Sequence, residues 1–380
     1  FRFSYPNNNN NSILPNNKLT RNNFALRATQ KLSDFLNLDA SINYNISNGS
    51  NPIRQGGNNN PVFAQVYFNP RHLDIEHWKN NYMDSAGGQL RGNLDYYGLA
   101  GIFYDIHNND VTQKSDNLRA NIDMNATIAP WLNLLVRGNI NSTVTNTDRK
   151  NWGTGTGFTG GYYSLSQSNN KNARVQALLT ANKTFGNDFE ASLTVGGETN
   201  RNLGGVSSFT ETAGGLRIPN KFYMGNSIER INNTTRLLGR SRLDALYSYG
   251  DVTYKNVLTL NYSARNDWSS TLTYPDGRGD HTYFYPSVGL SWVFTESFAN
   301  VSGLDFISFG KLRASYGYTG SDAGIFATSV GNYAPLGTYT DVAGDIARYG
   351  FDGNTLGNLN LKNELTKEME FGADLRFLNN

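Results

Sequence analysis

A few residue groups in this chain could do chemistry. His72 and His77, with Asp74 and Glu76 between them, form one cluster of imidazoles and carboxylates. Such a set can ligate zinc. The spacing H-x-x-x-E-H misses both helical zinc-protease patterns by a residue, and a solvated loop face is the plainer reading. Gly155-Thr156-Gly157-Phe158-Thr159-Gly160 matches G-x-G-x-x-G. A dinucleotide fingerprint needs a buried strand before it and a helix after it. Here Asn, Thr and Gly surround it, so it reads as loop. Asn108-Asn109-Asp110 through Asp116 offers oxygen donors for calcium without a binding-loop pattern, and reads as a turn. The run Asn7 to Asn11 reads as a turn tip. Cysteine is absent, which excludes disulfides, thiolate metal sites and a cysteine nucleophile. No Ser/His/Asp arrangement stands out. The expectation is a protein that is not an enzyme and carries no cofactor or metal.

Aromatic residues are the stronger candidates. Trp152, Tyr162, Tyr163, Trp268 and Tyr274 lie in segments that read as loops, as do Tyr67, Trp78, Tyr82, Tyr96 and Tyr97. Aromatic faces stack on sugars and grip apolar peptide side chains, while nearby Asn and Asp supply hydrogen bonds. The first five are the candidate substrate-binding residues. The competing reading is that these rings pack long loops into a cap.

Strict alternation must position them. Leu118, Ala120, Ile122, Met124, Ala126 and Ile128 are separated by Arg119, Asn121, Asp123, Asn125 and Thr127. That is a strand with one apolar and one wet face. Leu36 to Ile46, Ala173 to Ala181 and Met369 to Phe377 repeat the pattern. About twelve strands are predicted, near 1–6, 19–32, 35–47, 115–128, 131–146, 172–184, 188–200, 236–249, 255–267, 282–294, 307–319 and 366–378. Most run to about 11–14 residues, against about 5–6 in globular proteins and about 9–11 for a tilted strand crossing a bilayer. Leu118, Ile122, Met124, Leu132, Leu134 and Val136 should face lipid, and Arg119, Asp123, Arg137 and Asn139 a lumen.

The connections alternate too. Tight ones are expected at Ser33-Asp34, Ala129-Pro130, Phe185-Gly186-Asn187 and Gly250-Asp251. Long ones are expected at 48–114, 147–171, 201–235, 268–281 and 320–365. The 295–306 connection has room for a short helix. Short turns at one end and long loops at the other are the outer-membrane signature. Phe35, Trp131, Phe185, Phe189, Tyr247, Tyr249, Tyr254, Trp292, Phe294 and Phe377 lie beside the short turns, as an interfacial aromatic girdle would. The mean hydropathy of −0.52 and 38% hydrophobic content look soluble. A membrane barrel needs only one apolar residue in two, so its average stays polar. No apolar run is long enough for a spanning helix. No signal peptide is visible, and the chain is expected to begin inside a longer protein. A net charge of +2 implies neither a nucleic-acid nor an anionic partner.

Several stretches point to a family. They are Tyr254-Lys255-Asn256 through Arg265-Asn266-Asp267-Trp268-Ser269-Ser270, Phe284-Tyr285-Pro286-Ser287-Val288-Gly289-Leu290-Ser291-Trp292, and Lys311-Leu312-Arg313-Ala314-Ser315-Tyr316-Gly317-Tyr318-Thr319-Gly320. Leu361-Lys362-Asn363-Glu364-Leu365-Thr366-Lys367-Glu368 and Phe377-Leu378-Asn379-Asn380 follow. In order and spacing they resemble SusC/RagA-type TonB-dependent importers of the Bacteroidetes. Asn363 stands where that family usually has Trp, and Asn266 interrupts a usual basic pair.

The resemblance implies an all-β fold, a transmembrane antiparallel up-and-down β-barrel of about 22 strands around a plug. Residues 1–380 would form a partial barrel domain within it, with plug and TonB box elsewhere. It further implies TonB-dependent import of an oligosaccharide or oligopeptide across the outer membrane. A SusD-like surface lipoprotein would cover the long loops, TonB would act through a region outside these residues, and membrane lipid would surround the barrel. A passive porin or a structural or secretory barrel is the alternative.

Overall fold

The computed structural model describes residues 1–52, 71–72, 74–90, 99–153, 159–274, 276–298, 306–325, 327–328, 332–341, 344–352, 358 and 360–377. Sixteen strands are described. The first four are β1 (Arg2–Ser4), β2 (Asn7–Asn11), β3 (Lys18–Lys31) and β4 (Leu36–Ser50). They are followed by β5 (Asp110–Ala129), β6 (Leu132–Gly153), β7 (Gly160–Phe185) and β8 (Phe189–Leu216). Next come β9 (Ser227–Leu238), β10 (Ser241–Tyr254), β11 (Leu258–Ser269) and β12 (Thr282–Val293). The last are β13 (Ile307–Ser321), β14 (Asn332–Asp341), β15 (Gly344–Asp352) and β16 (Glu364–Phe377). Short helices α1 (Ile75–Asn80) and α2 (Leu99–Asn108) lie between β4 and β5, and α3 (Phe294–Ser297) follows β12.

The main sheet has fourteen antiparallel strands, twelve of them up-and-down in the order β1-β3-β4-β5-β6-β7-β8-β10-β11-β12-β13-β16, with β2 added on β3 and β9 on β8. The twelve in order correspond to the twelve predicted. β14 and β15 pair as a separate hairpin. Among the described residues β1 and β16 do not meet, so the sheet is an arc of a barrel with two open edges.

Alternation converts directly into two faces. The register aligns Leu38 with Met124, Ala40 with Ile122, Ile122 with Gly138 and Gly138 with Val175. Asp39, Asp123, Arg137 and Gln176 fall on the opposite face. The apolar face is uncovered. Ile122 is 45% exposed and Val195 50%. Buried hydrophobics among the described residues come to only seven, Tyr104, Tyr163, Leu216, Ala245, Leu272, Tyr274 and Tyr283. The accessible surface is 24945 Å², where a compact soluble chain of this mass would show about 15000 Å². The apolar surface is therefore on the outside of the arc's wall rather than in a core.

The sequence reading needs several corrections. Gly250-Asp251 is not a turn. β10 runs through both residues to Tyr254, and the hairpin turns at Lys255 and Asn256, with φ of 49° and 58° and a Val257 N–H donating to the Tyr254 carbonyl. Two consecutive positive φ values make a type I′ turn, whose twist matches the strands. Gly250 serves close strand approach instead, since a Cβ there would stand 2.2 Å from the Ser192 carbonyl oxygen.

The expected loops 147–171 and 201–235 are mostly strand. β6 and β7 pair out to Gly153 and Gly160, and β8 pairs with β9 out to Leu216 and Ser227. Such extensions need no apolar face, so alternation does not mark them. Asn7–Asn11 is strand too. It pairs with Lys18–Asn22 in the same register as β1, interrupted at Tyr5-Pro6. The turn lies beyond it, where Asn16 has φ 59°.

Candidate functional site

The polar face carries strongly enclosed charges. Glu198 on β8 and Asp267 on β11 have side chains only 7% and 4% exposed. Glu198 accepts from Arg174 Nε (3.1 Å), from Arg174 Nη2, and from Arg265 Nη2 (2.8 Å). Arg265 also donates through Nε to Asp267 (2.7 Å) and to the Tyr285 hydroxyl (2.8 Å). Tyr285 donates in turn to Asp267. Gln176 reaches both Glu198 (3.3 Å) and the Tyr247 hydroxyl (2.6 Å), and the Arg265 guanidinium lies 5.1 Å from the Tyr247 ring centre. Two arginines and two carboxylates from β7, β8 and β11 neutralise one another. Buried charges persist only when paired in this way.

Smaller pairs line the same face elsewhere. Arg27 bonds Asp39 (3.0 Å), and Arg137 forms a two-pronged pair with Asp123 (2.9 Å each). Beside the network the ladder between β12 and β13 stops at Ser287, next to Pro286, which has no N–H to give. A cavity of about 480 Å³ opens there. Arg265, Tyr285, Ser263, Ser287, Glu368 and Glu370 are among its lining residues. Tyr247 and Tyr249 line it too, so they belong to the polar face and not to the girdle.

Four of the predicted girdle residues lie on the apolar face. Phe185, Phe189 and Tyr254 stand in one row across β7, β8 and β10, with the last two rings 4.9 Å apart. Trp292 follows on β12, its indole N–H donating to Ser297 (2.8 Å). At the far end the apolar face gives way to Thr199, Arg201, Asp244 and Arg242.

The five candidate aromatics do not form one site. Trp152 and Tyr163 share one face at the tip of the β6–β7 hairpin, and Tyr162 lies on the other. Phe222 packs 6.1 Å from the Trp152 ring and 6.3 Å from the Tyr163 ring. Tyr162 donates to Glu211 (2.6 Å) and Tyr163 to Asp148 (3.0 Å). Burial, followed by those carboxylates, raises both phenols above their ordinary range. Tyr163 is buried, whereas Trp152 is 41% exposed.

Trp268 is a strand residue rather than a loop residue. It is opposite Asp244 and Thr282, on the face of Leu260 and Tyr262, at the upper edge of the apolar surface. Tyr274 is buried elsewhere. Its hydroxyl donates to the Asn358 carbonyl and accepts from Leu361 N–H (3.1 Å). Around it, Asp322 accepts from Ser269 (2.6 Å) and Thr271 (3.2 Å), and Thr328 donates to the Thr273 carbonyl (3.1 Å). Tyr274 thus knits two loops together.

Other sequence motifs find structural work. Asp74 caps α1 by accepting from Glu76 N–H, and Glu76 pairs with Lys79 (3.3 Å). Among the described residues no group of three His, Asp or Glu could hold a metal. Asn109 accepts from Trp152 N–H (2.8 Å) and donates to Asp105 (2.5 Å). Gly160, at φ +80°, is pressed against the Leu216 carbonyl, where a Cβ would come within 2.2 Å. Gly155, Gly157, Tyr67, Tyr96 and Tyr97 lie outside the described residues. Trp78 stacks edge-on against His77, and Tyr82 lies flat against His107 at 5.3 Å.

No protein-family model and no curated protein matches the chain. Solved structures do. A structure of the RagAB peptide transporter superposes with a TM-score of 0.67 over 96% of this chain, at 14% identity. The fold is that of an antiparallel transmembrane β-barrel. The RagAB peptide importer in its closed-closed state gives 0.66 over 100% of the chain at 15% identity. The siderophore receptor PiuA from Acinetobacter baumannii gives 0.51 over 96% at 13% identity. The chain covers only 39–40% of the two RagAB chains and 48% of the PiuA chain. In this sheet the paired charges of Arg174, Glu198, Arg265 and Asp267 share the polar face. Sequence reasoning missed this network because its partners lie up to 67 residues apart.

Proposed function

We propose that this chain is part of the wall of a TonB-dependent importer in the outer membrane. Its cargo is a nutrient too large for ordinary porins, an oligopeptide or an oligosaccharide. The observation that carries this reading is the two-faced arc. An uncovered apolar face ends at an aromatic row, and a polar face holds its most buried charges, Glu198 and Asp267, in ion pairs. The first suits lipid, the second a wetted passage whose wall does not trap what crosses it. The RagAB structures, described as a peptide importer, support the importer class and favour a peptide cargo.

In this reading residues 1–380 belong to a single partial barrel domain. A plug and a TonB-contacting segment elsewhere in the protein supply gating and energy. The tall β6–β7 and β8–β9 hairpins and the loops joined by Tyr274 face outward, where a SusD-like lipoprotein would close over them. Trp152, with its ring half open beside Phe222, is the aromatic best placed to touch cargo or lid. Trp268 would serve the lipid boundary, and Tyr274 would hold the loops.

The test is a deletion of the gene in its host, with uptake of labelled oligopeptides and oligosaccharides measured side by side. Loss of one class, restored by the intact gene, is the expected result. Undiminished uptake of both would remove the importer reading.

A further inference from the structure

The apolar face is bordered on its upper side by cations that outnumber the carboxylates paired with them among the described residues. Arg201 on β8 stands directly opposite Arg242 on β10. Like charges across a strand pair destabilise it. Arg242 pairs with Asp244 (2.7 Å), and Arg201 feels the same carboxylate from further off, with no ion pair within 4.0 Å among the described residues. Arg240 lies along Gly204, and Gly204 is paired with Lys171 on β7. Lys171, Arg201, Arg240 and Arg242 are all exposed. Among the described residues the only ion pair these four cations make is that of Arg242 with Asp244.

Their position is as telling as their charge. Arg201 continues the row Leu193, Val195, Gly197 and Thr199, and Arg242 the row Val252, Gly250, Ser248, Leu246 and Asp244. Lys171 continues Leu179, Ala177, Val175 and Ala173 in the same way. Trp268 is paired with Asp244 on the neighbouring strand. Apolar rows running up to a tryptophan and a cluster of guanidinium groups match the layering of a lipid, with chains below and headgroup above.

We propose that Arg201 and Arg242, with Lys171 and Arg240 beside them, bind the phosphate of an anionic membrane lipid whose acyl chains lie on Leu246 and Val195. A phosphate between the two facing guanidinium groups accepts forked hydrogen bonds from both and relieves their repulsion. The site rests on the outer-membrane reading above.

The test uses the full-length protein in detergent, exchanged with phosphatidylglycerol, phosphatidylcholine or inorganic phosphate and observed by native mass spectrometry. The wild type should retain phosphatidylglycerol at least tenfold better than phosphatidylcholine. Arg201→Gln with Arg242→Gln should lose that preference, and Arg201→Lys with Arg242→Lys should keep most of it. Equal retention by the wild type and the Gln variant would overturn the site. Inorganic phosphate displacing the lipid at equal concentration would show an anion site without lipid specificity and would overturn it as well. A spin-labelled lipid that quenches a fluorophore at position 246 separates the two readings. Quenching without phosphatidylglycerol preference defeats this site alone, while absence of quenching defeats the membrane orientation itself.

Discussion

Ile122→Arg tests the physical basis of the fold through its dependence on depth. Ile122 lies on the apolar face, between Ala40 and Gly138. It is four residues from Leu118 and six from Ile128, the ends of the apolar row of β5. At about 3.3 Å per residue and a tilt of about 45°, it sits ~9 Å from the upper edge of the apolar band and ~14 Å from the lower. Arginine near the middle of a bilayer costs a barrel about 2–4 kcal/mol, and near its edge about 0–1 kcal/mol. Ile122→Arg should therefore weaken folding by a factor of about 30 to 700. Leu118→Arg at the edge, and Asn121→Arg on the polar face, should each stay within about 1 kcal/mol. Denaturant titration of the full-length protein in phospholipid vesicles, followed by tryptophan fluorescence, measures all three. If Ile122→Arg costs no more than Asn121→Arg, the apolar face does not meet lipid and the reasoning fails.

Further outcomes follow from single contacts. Glu198→Gln removes the carboxylate shared by Arg174 and Arg265, and should cost about 1–3 kcal/mol by thermal unfolding in detergent. Arg174→Gln, at a side chain 43% exposed, should cost less. Replacing Lys255-Asn256 by Asn-Gly suits the two positive φ values and should stabilise the hairpin by about 1 kcal/mol, read as a higher melting temperature. Gly250→Val, pressed against the Ser192 carbonyl, should lower the folded fraction on a gel that separates folded from unfolded barrels. Tyr162 and Tyr163 should stay protonated above pH 10, with Tyr163→Phe removing one late step from the phenolate absorbance titration. Because both phenols are raised, the stability they contribute is complete below the ordinary tyrosine pKa. It is lost as pH climbs through their folded values.

The membrane-facing part of this fold is legible in the sequence because lipid imposes period two. Leu118 to Ile128 announces β5 without help from any other residue. Beyond the apolar band that constraint stops, and the upper halves of β6 to β9 read as loops rich in Asn, Ser and Gly. Gly250-Asp251 carries a turn's composition, yet Gly250 is there to let β8 and β10 approach. The real turn at Lys255-Asn256 has weaker residues for the same geometry. Tyr247 lies near a short turn in sequence, but the parity of β10 puts it on the polar face. Trp268 follows the same logic in reverse. Position along the chain suggested a loop, and register assigns it to the apolar face. The charge network is not legible at all, since nothing local to Glu198 names Arg265.

The importer reading itself stands or falls on energy coupling. The measurement is uptake of the labelled cargo by cells carrying the intact protein, with and without a proton gradient across the inner membrane. The proposal predicts that uptake stops when the gradient is dissipated, while the barrel remains folded in the outer membrane. Uptake continuing at full rate without the gradient would contradict it and identify a passive pore.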